Sequence, residues 1–170
     1  MTYRRWLLAL LLAMMLFPAM ATARVLDIAQ PPTRLDLEPW ITFVCDEQSP
    51  RNITTLRQSD PATTFKPLLK PHIAFGFRQD ACWFRWEMRN TGTQTRRLLF
   101  VVDYPVLDHV DLYQDSQRSL THWALGDALA FSQRQIDSRS FVIPLTLEPG
   151  QIATYYLRAQ SSGSMTVPLY

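Results

Sequence analysis

Two residue pairs in this sequence carry chemistry suited to recognition: Trp83-x-Arg85 and Tyr156-x-Arg158. In an extended strand the side chains alternate between faces, so each aromatic projects beside its arginine. A ring face is an apolar plate and a guanidinium is a planar set of donors. Together they can stack on a sugar ring and hold a hydroxyl or carboxylate at its edge. If the two strands are neighbours in one sheet, the four side chains form a single concave patch. The alternative is structural: Trp83 and Tyr156 fill a core, and the arginines pair with acids such as Asp103 or Asp108. Both readings stand at this point.

A second, weaker cluster is Asp103, Asp108 and Asp111, with Asp115 nearby. Calcium takes several oxygen ligands, often carboxylates offered from loops, and Pro105 puts a bend between the first two acids. No DxDxDG-type loop occurs, so turn caps and arginine partners are the competing roles. Catalytic patterns are missing. His72, His109 and His122 are far apart and fit no HExxH spacing, and no GxSxG, P-loop or dinucleotide fingerprint occurs among five glycines. Glu87 facing an aspartate is the one arrangement that would suit a glycosidase. The expectation is a protein that is not an enzyme and needs no cofactor. Cys45 and Cys82 match no metal or CxxC pattern; they pair in a disulfide or remain as two buried thiols.

These residues must be positioned by strands. Phe84, Trp86 and Met88 alternate with Trp83, Arg85 and Glu87, the period of a strand with two different faces. Asn90-Thr91-Gly92 supplies turn residues that tolerate positive φ, and residues 97–104 read as the returning strand. Val110 and Leu112 alternate with His109, Asp111 and Tyr113. Phe141, Ile143, Leu145 and Leu147 line one face of a further strand. Glu148-Pro149-Gly150 then makes a type II turn, and residues 152–159 return to complete a hairpin. The one helical stretch expected is Ile53 to Asp60, capped by Asn52 or Thr54. Short strands divided by turns argue an all-β sandwich or jelly roll.

The N-terminus reads as a secretory leader. Arg4 and Arg5 precede an apolar run from Trp6 to Phe17, Pro18 breaks it, and Ala19, Ala21 and Ala23 offer A-x-A sites. Cleavage after Ala21 or Ala23 leaves one domain over residues 24–170, expected in the periplasm. The run is short for a spanning helix, which needs about 20 apolar residues. Losing Arg4 and Arg5 lowers the 17 basic residues of the chain to match its 15 acidic ones. A near-neutral chain with only two lysines, Lys66 and Lys70, lacks the basic face that nucleic acid requires.

The same residues resemble the type 2 extracellular sensing domain of bacterial seven-transmembrane receptors with diverse intracellular signalling modules, the 7TMR-DISM family. The likeness runs through Leu35-Asp36-Leu37-Glu38-Pro39-Trp40, Asp46, Phe65-Lys66-Pro67, Phe75-Gly76-Phe77, Cys82-Trp83-Phe84-Arg85-Trp86 and Asn90. Residues 98–113 (LLFVVDYPVLDHVDLY) are its most specific block. Gly126-Asp127, Arg134, residues 141–147, Pro149-Gly150, Tyr155-Tyr156-Leu157-Arg158, Met165 and Pro168-Leu169 complete it. The resemblance implies a jelly-roll β-sandwich of two antiparallel sheets, similar to carbohydrate-binding modules, set ahead of seven helices and an output domain. The sequence carries neither, which fits a stand-alone relative or a piece of a longer receptor. The function expected is ligand sensing: a small ligand, a carbohydrate foremost, docks on Trp83, Arg85, Tyr156 and Arg158 and biases a membrane partner. The competing reading is an interaction domain that pairs with itself or with a receptor ectodomain. A calcium-responsive sensor is the lesser alternative.

Overall fold

The computed structural model describes residues 24–47, 50–68, 73–116 and 119–170. The leader, Lys70 and His72 lie outside these. Strand β5 (Cys82–Arg89) shows how the sequence pattern becomes architecture. Its inward residues Phe84, Trp86 and Met88 are buried in the main core. Its outward residues Trp83, Arg85 and Glu87 line the opposite face. One edge of β5 is shared by β2 (Thr42–Cys45), antiparallel along Cys82–Arg85, and β1 (Val25–Asp27), parallel along Glu87–Arg89. The other edge takes β10 (Ile152–Gln160). Beyond β10 come β7 (His109–Ser116) and β8 (Leu120–Leu125), while β3 (Lys66–Pro67) extends the far side from β2. These make one seven-stranded sheet.

The opposing layer is in two pieces: β6 (Arg96–Val102) with β9 (Phe141–Leu147), and β4 (Ala74–Phe77) with β11 (Ser164–Thr166). The all-β sandwich expected from the alternation is present, with β1 pairing parallel to β5 and a divided second layer. Between the layers, Trp86 stacks at 5.3 Å on Tyr155 of its own sheet and at 5.3 Å on Phe100 of the other. Each such side chain, fully buried, contributes about 1.5–3 kcal/mol. Among the described residues no helix is long and apolar enough to cross a membrane.

Two connections differ from the sequence reading. Residues 97–104 do not return beside β5; β6 pairs with β9 in the other layer. Likewise β9 and β10 do not form a hairpin. The turn between them is the expected one, with Gln151 N donating to Glu148 O at 3.0 Å and Gly150 at φ 74°. It carries the chain from one layer to the other. The reason is occupancy: β5 already has β1 and β2 on one edge and β10 on the other, so β6 has no edge left there. The bend at Asn90 also works differently. Gly92 is not in the left-handed region; its N–H donates to Asn90 Oδ1 at 3.0 Å, an Asx turn. The unpredicted strand β8 pairs antiparallel with β7 and ends at Gly126, φ 145°, where a Cβ would lie 2.0 Å from the Asp108 carbonyl oxygen.

Candidate functional site

The register of the large sheet decides which side chains meet. Tyr156 lies directly opposite Arg85, and Arg158 opposite Trp83, across β10 and β5. The same rows run on into β7 and β8, so Arg85, Tyr156, Tyr113 and His122 form one line across four strands. Trp83, Arg158 and Asp111 form the next. The four residues singled out from the sequence are therefore brought onto a single outward face.

That face is polar and internally paired. Arg85 bonds to Glu87 two residues along its own strand. Arg158 Nη1 lies 3.4 Å from Asp111 Oδ2, and its Nη2 donates to Gln160 Oε1 at 2.5 Å. Asp111 Oδ1 also meets His122 Nε2 at 2.9 Å, and His122 stacks on Tyr113 with ring centroids 4.4 Å apart. Burial, assisted by the Asp111 charge, pushes the Tyr113 phenol above its ordinary range, so it stays a donor. The arginine partners are thus Glu87 and Asp111, whereas the sequence suggested Asp103 or Asp108. Asp103 accepts from Ser140 Oγ at 2.6 Å and Asp108 from Ser162 N at 2.7 Å. With Asp111 committed to Arg158 and His122, the three aspartates are spread over separate contacts. Among the described residues no group of three His, Cys, Asp or Glu is placed to hold a metal ion.

The aromatics are not an open plate. Trp83 is 1 % exposed and Tyr156 4 %, because Leu56 and Phe65 pack on them as a second, smaller hydrophobic cluster. Those two residues come from a covering segment, residues 50–68, that contains α1 (Ile53–Gln58) and α2 (Pro61–Thr64). Asn52 caps α1 through Thr55 N at 2.9 Å, with Thr55 completing a capping box. Arg57 at its last turn holds Asp115 of β7 with two bonds of 2.8 and 2.9 Å, and this contact raises the guanidinium pKa. The segment is tethered at its base by a disulfide between Cys45 and Cys82, which face each other across β2 and β5.

Two donors on this face lack acceptors. Trp83 Nε1 and Arg85 Nε are buried and make no hydrogen bond with the described residues. Both sit on the outward side of β5 within reach of the covered patch. The covering segment was missed as a cover because Leu56 and Phe65 are isolated apolar residues among polar ones. Two such residues set no period. His122 and Tyr113 were also missed as site residues; the pairing of β8 with β7 brings them to the face.

A family-model comparison matches residues 38–170 to 7TMR-DISM extracellular 2. The chain belongs to that family. No curated protein matches it. A 7TMR-DISM extracellular domain is a sensing domain of a receptor, and in bacteria it faces the periplasm. The membrane-associated context follows from the same membership.

Proposed function

We propose that this 7TMR-DISM domain senses a small polyhydroxylated ligand, a carbohydrate foremost, on the outward face of its large sheet, without turning it over. It is exported, its leader removed after Ala21 or Ala23, and it biases a membrane partner. Arg85 and Arg158 supply edge contacts, and Trp83 and Tyr156 become the stacking plate when residues 50–68 lift away. The observation that carries this is the pair of buried donors without acceptors, Trp83 Nε1 and Arg85 Nε. A buried N–H left unpaired costs about 1–3 kcal/mol, and a ligand hydroxyl would remove that cost. The charges also favour a neutral ligand: Arg85, Arg158 and Arg57 are balanced by Glu87, Asp111 and Asp115. A mixed set of donors and acceptors suits hydroxyls better than a multiply charged group. Binding that favours the lifted segment shifts the population toward it, which is all a sensor needs.

The test is a thermal-shift screen of the exported chain with neutral sugars, sugar acids and calcium, repeated on Arg158→Ala. A sugar-specific rise in melting temperature, reduced at least tenfold in apparent affinity by the substitution, is expected. A rise with calcium alone, or a sugar response indifferent to Arg158→Ala, overturns the assignment.

A further inference from the structure

The two margins of the large sheet are finished differently. At one margin β3 is only Lys66-Pro67, both exposed, so a cation and a residue without an N–H stand at the free edge. The opposing layer is guarded in a similar way. Val101 exchanges its two backbone bonds with Tyr170, so the even-numbered residues of β6 bond to β9. Pro144, opposite Leu99, therefore turns its nitrogen to the free edge of β9, where no N–H is needed. The second margin of the large sheet, β8, carries no such guard. Its sequence Leu-Thr-His-Trp-Ala-Leu holds no Lys, Arg, Asp, Glu or Pro, and its register with β7 is unbroken from Leu120 to Leu125. The β7–β8 hairpin also fixes which backbone groups are open. Ser116 N donates to Ser119 O at 2.9 Å, so that pair is hydrogen-bonded and the bonding alternates from there. Thr121, Trp123 and Leu125 bond to β7. The N–H and C=O of Leu120, His122 and Ala124 point out of the free edge, and among the described residues no backbone group bonds to them.

We infer that β8 pairs antiparallel with β8 of a second copy of this chain, about a two-fold axis at His122, and joins the two large sheets into one. Such an axis stands normal to the sheet and keeps both outward faces on the same side, so opposed residues must share parity. Centred on His122, the outward pairs are His122 with its own copy and Leu120 with Ala124. On the core side Thr121 meets Trp123. Every open residue then faces an open residue, and each of those pairs exchanges two backbone bonds. Centring on Trp123 instead would set Leu120 against Gly126, where the chain has already left the strand at φ 145°. The side chains suit the first register. No Asp, Glu, Lys or Arg is opposed to another across the axis. Trp123, half-buried against the main core, gains Thr121 of the second copy, and exposed Leu120 is covered by Ala124 of the second copy. A second copy is the occupant because this edge complements itself in phase, in shape and in its lack of charge. The His122–Asp111 pairs of both copies then flank the axis on the outward face, which becomes continuous from one copy to the next.

The test is a concentration series of the chain at neutral pH, followed by sedimentation and by amide hydrogen exchange read by NMR. A monomer–dimer equilibrium is expected. As the dimer forms, exchange at Leu120, His122 and Ala124 should slow at least tenfold, while Thr121, Trp123 and Leu125 stay protected by β7 at every concentration. Ala124→Pro removes one open donor without touching the β7 ladder. It should weaken association at least tenfold, with the melting temperature of the dilute protein little changed. If Ala124→Pro does not fold, the exchange pattern of the unaltered chain decides alone. A chain still monomeric at millimolar concentration overturns the inference. So does a dimer in which the amides of Leu120, His122 and Ala124 exchange as fast as in the monomer, or a folded Ala124→Pro that associates as tightly as the unaltered chain. All of these measurements are made without added ligand, so they stand apart from sugar binding at Arg158.

Discussion

Asn90 is the side chain on which both layer crossings depend. It is 1 % exposed, and its Nδ2 donates to Gln94 O at 2.8 Å and to Leu147 O at 3.0 Å. Its Oδ1 accepts from Gly92 N, while its backbone N–H and C=O bond to Gln151 and Gly150. One residue thus ties the exit of β5 to the turn that joins β9 and β10. Asn90→Ala would remove the side-chain bonds to Gln94 O, Leu147 O and Gly92 N and free the bend. The expected loss is about 2–4 kcal/mol, since each buried group left unpaired costs about 1–3 kcal/mol, measured by urea unfolding. A loss below 1 kcal/mol would mean that the two crossings hold without it. Asn90 was legible in the sequence as a turn residue because its type favours such bends. Its Leu147 partner was not, being 57 residues away along the chain.

At the scale of elements, the alternation of β5, β7 and β10 and the Asn52 cap were readable because each rests on neighbours in sequence. Which strands pair was not readable: a period of two is identical whether the chain turns back beside its neighbour or crosses to the other layer. The covered state of Trp83 and Tyr156 was hidden for a related reason, since cover and patch belong to elements separated by strands. What holds the cover is now visible. The Cys45–Cys82 disulfide closes a loop with a sequence separation of 37 residues, and α1 and α2 lie wholly within it. Replacing both cysteines by alanine should lower stability by about 4 kcal/mol through the entropy of that loop. It should also loosen the cover at its base, so that trypsin cuts at Arg57 several-fold faster while cutting at Arg97 changes in proportion to global stability alone. Equal acceleration at both sites, read by mass spectrometry of timed digests, would show that the disulfide stabilises the molecule without governing the cover.

The whole molecule is tied together at its surface by carboxylates whose charge matters. Asp27 accepts from Thr91 Oγ1 at 2.7 Å and from Ala29 N at 3.0 Å, fastening the N-terminal strand to the loop after β5. Asp108 accepts from Ser162 N at 2.7 Å, fastening the start of β7 to the loop before β11. Asp80 pairs with Arg78 ahead of β5 at 2.5 Å. The Thr91 hydroxyl, the Ser162 backbone N–H and the Arg78 guanidinium, respectively, hold these three carboxyls below the usual carboxylate range. A folded-state pKa below the unfolded one means that the unfolded chain binds protons more readily. Their stabilisation is therefore present above the unfolded value of about 3.9 and is lost as pH falls through the lower folded values. The melting temperature should be insensitive to these groups between neutral pH and about pH 5, then fall steeply toward pH 2. Asp108→Asn supplies the control. It should lower the melting temperature at pH 7, where the charge it removes is stabilising, and lower it by less at pH 2, because the advantage of the charge shrinks as pH falls below the unfolded value. An equal decrease at both pH values in calorimetry would show that the Ser162 contact works through shape, with the charge of Asp108 playing no part.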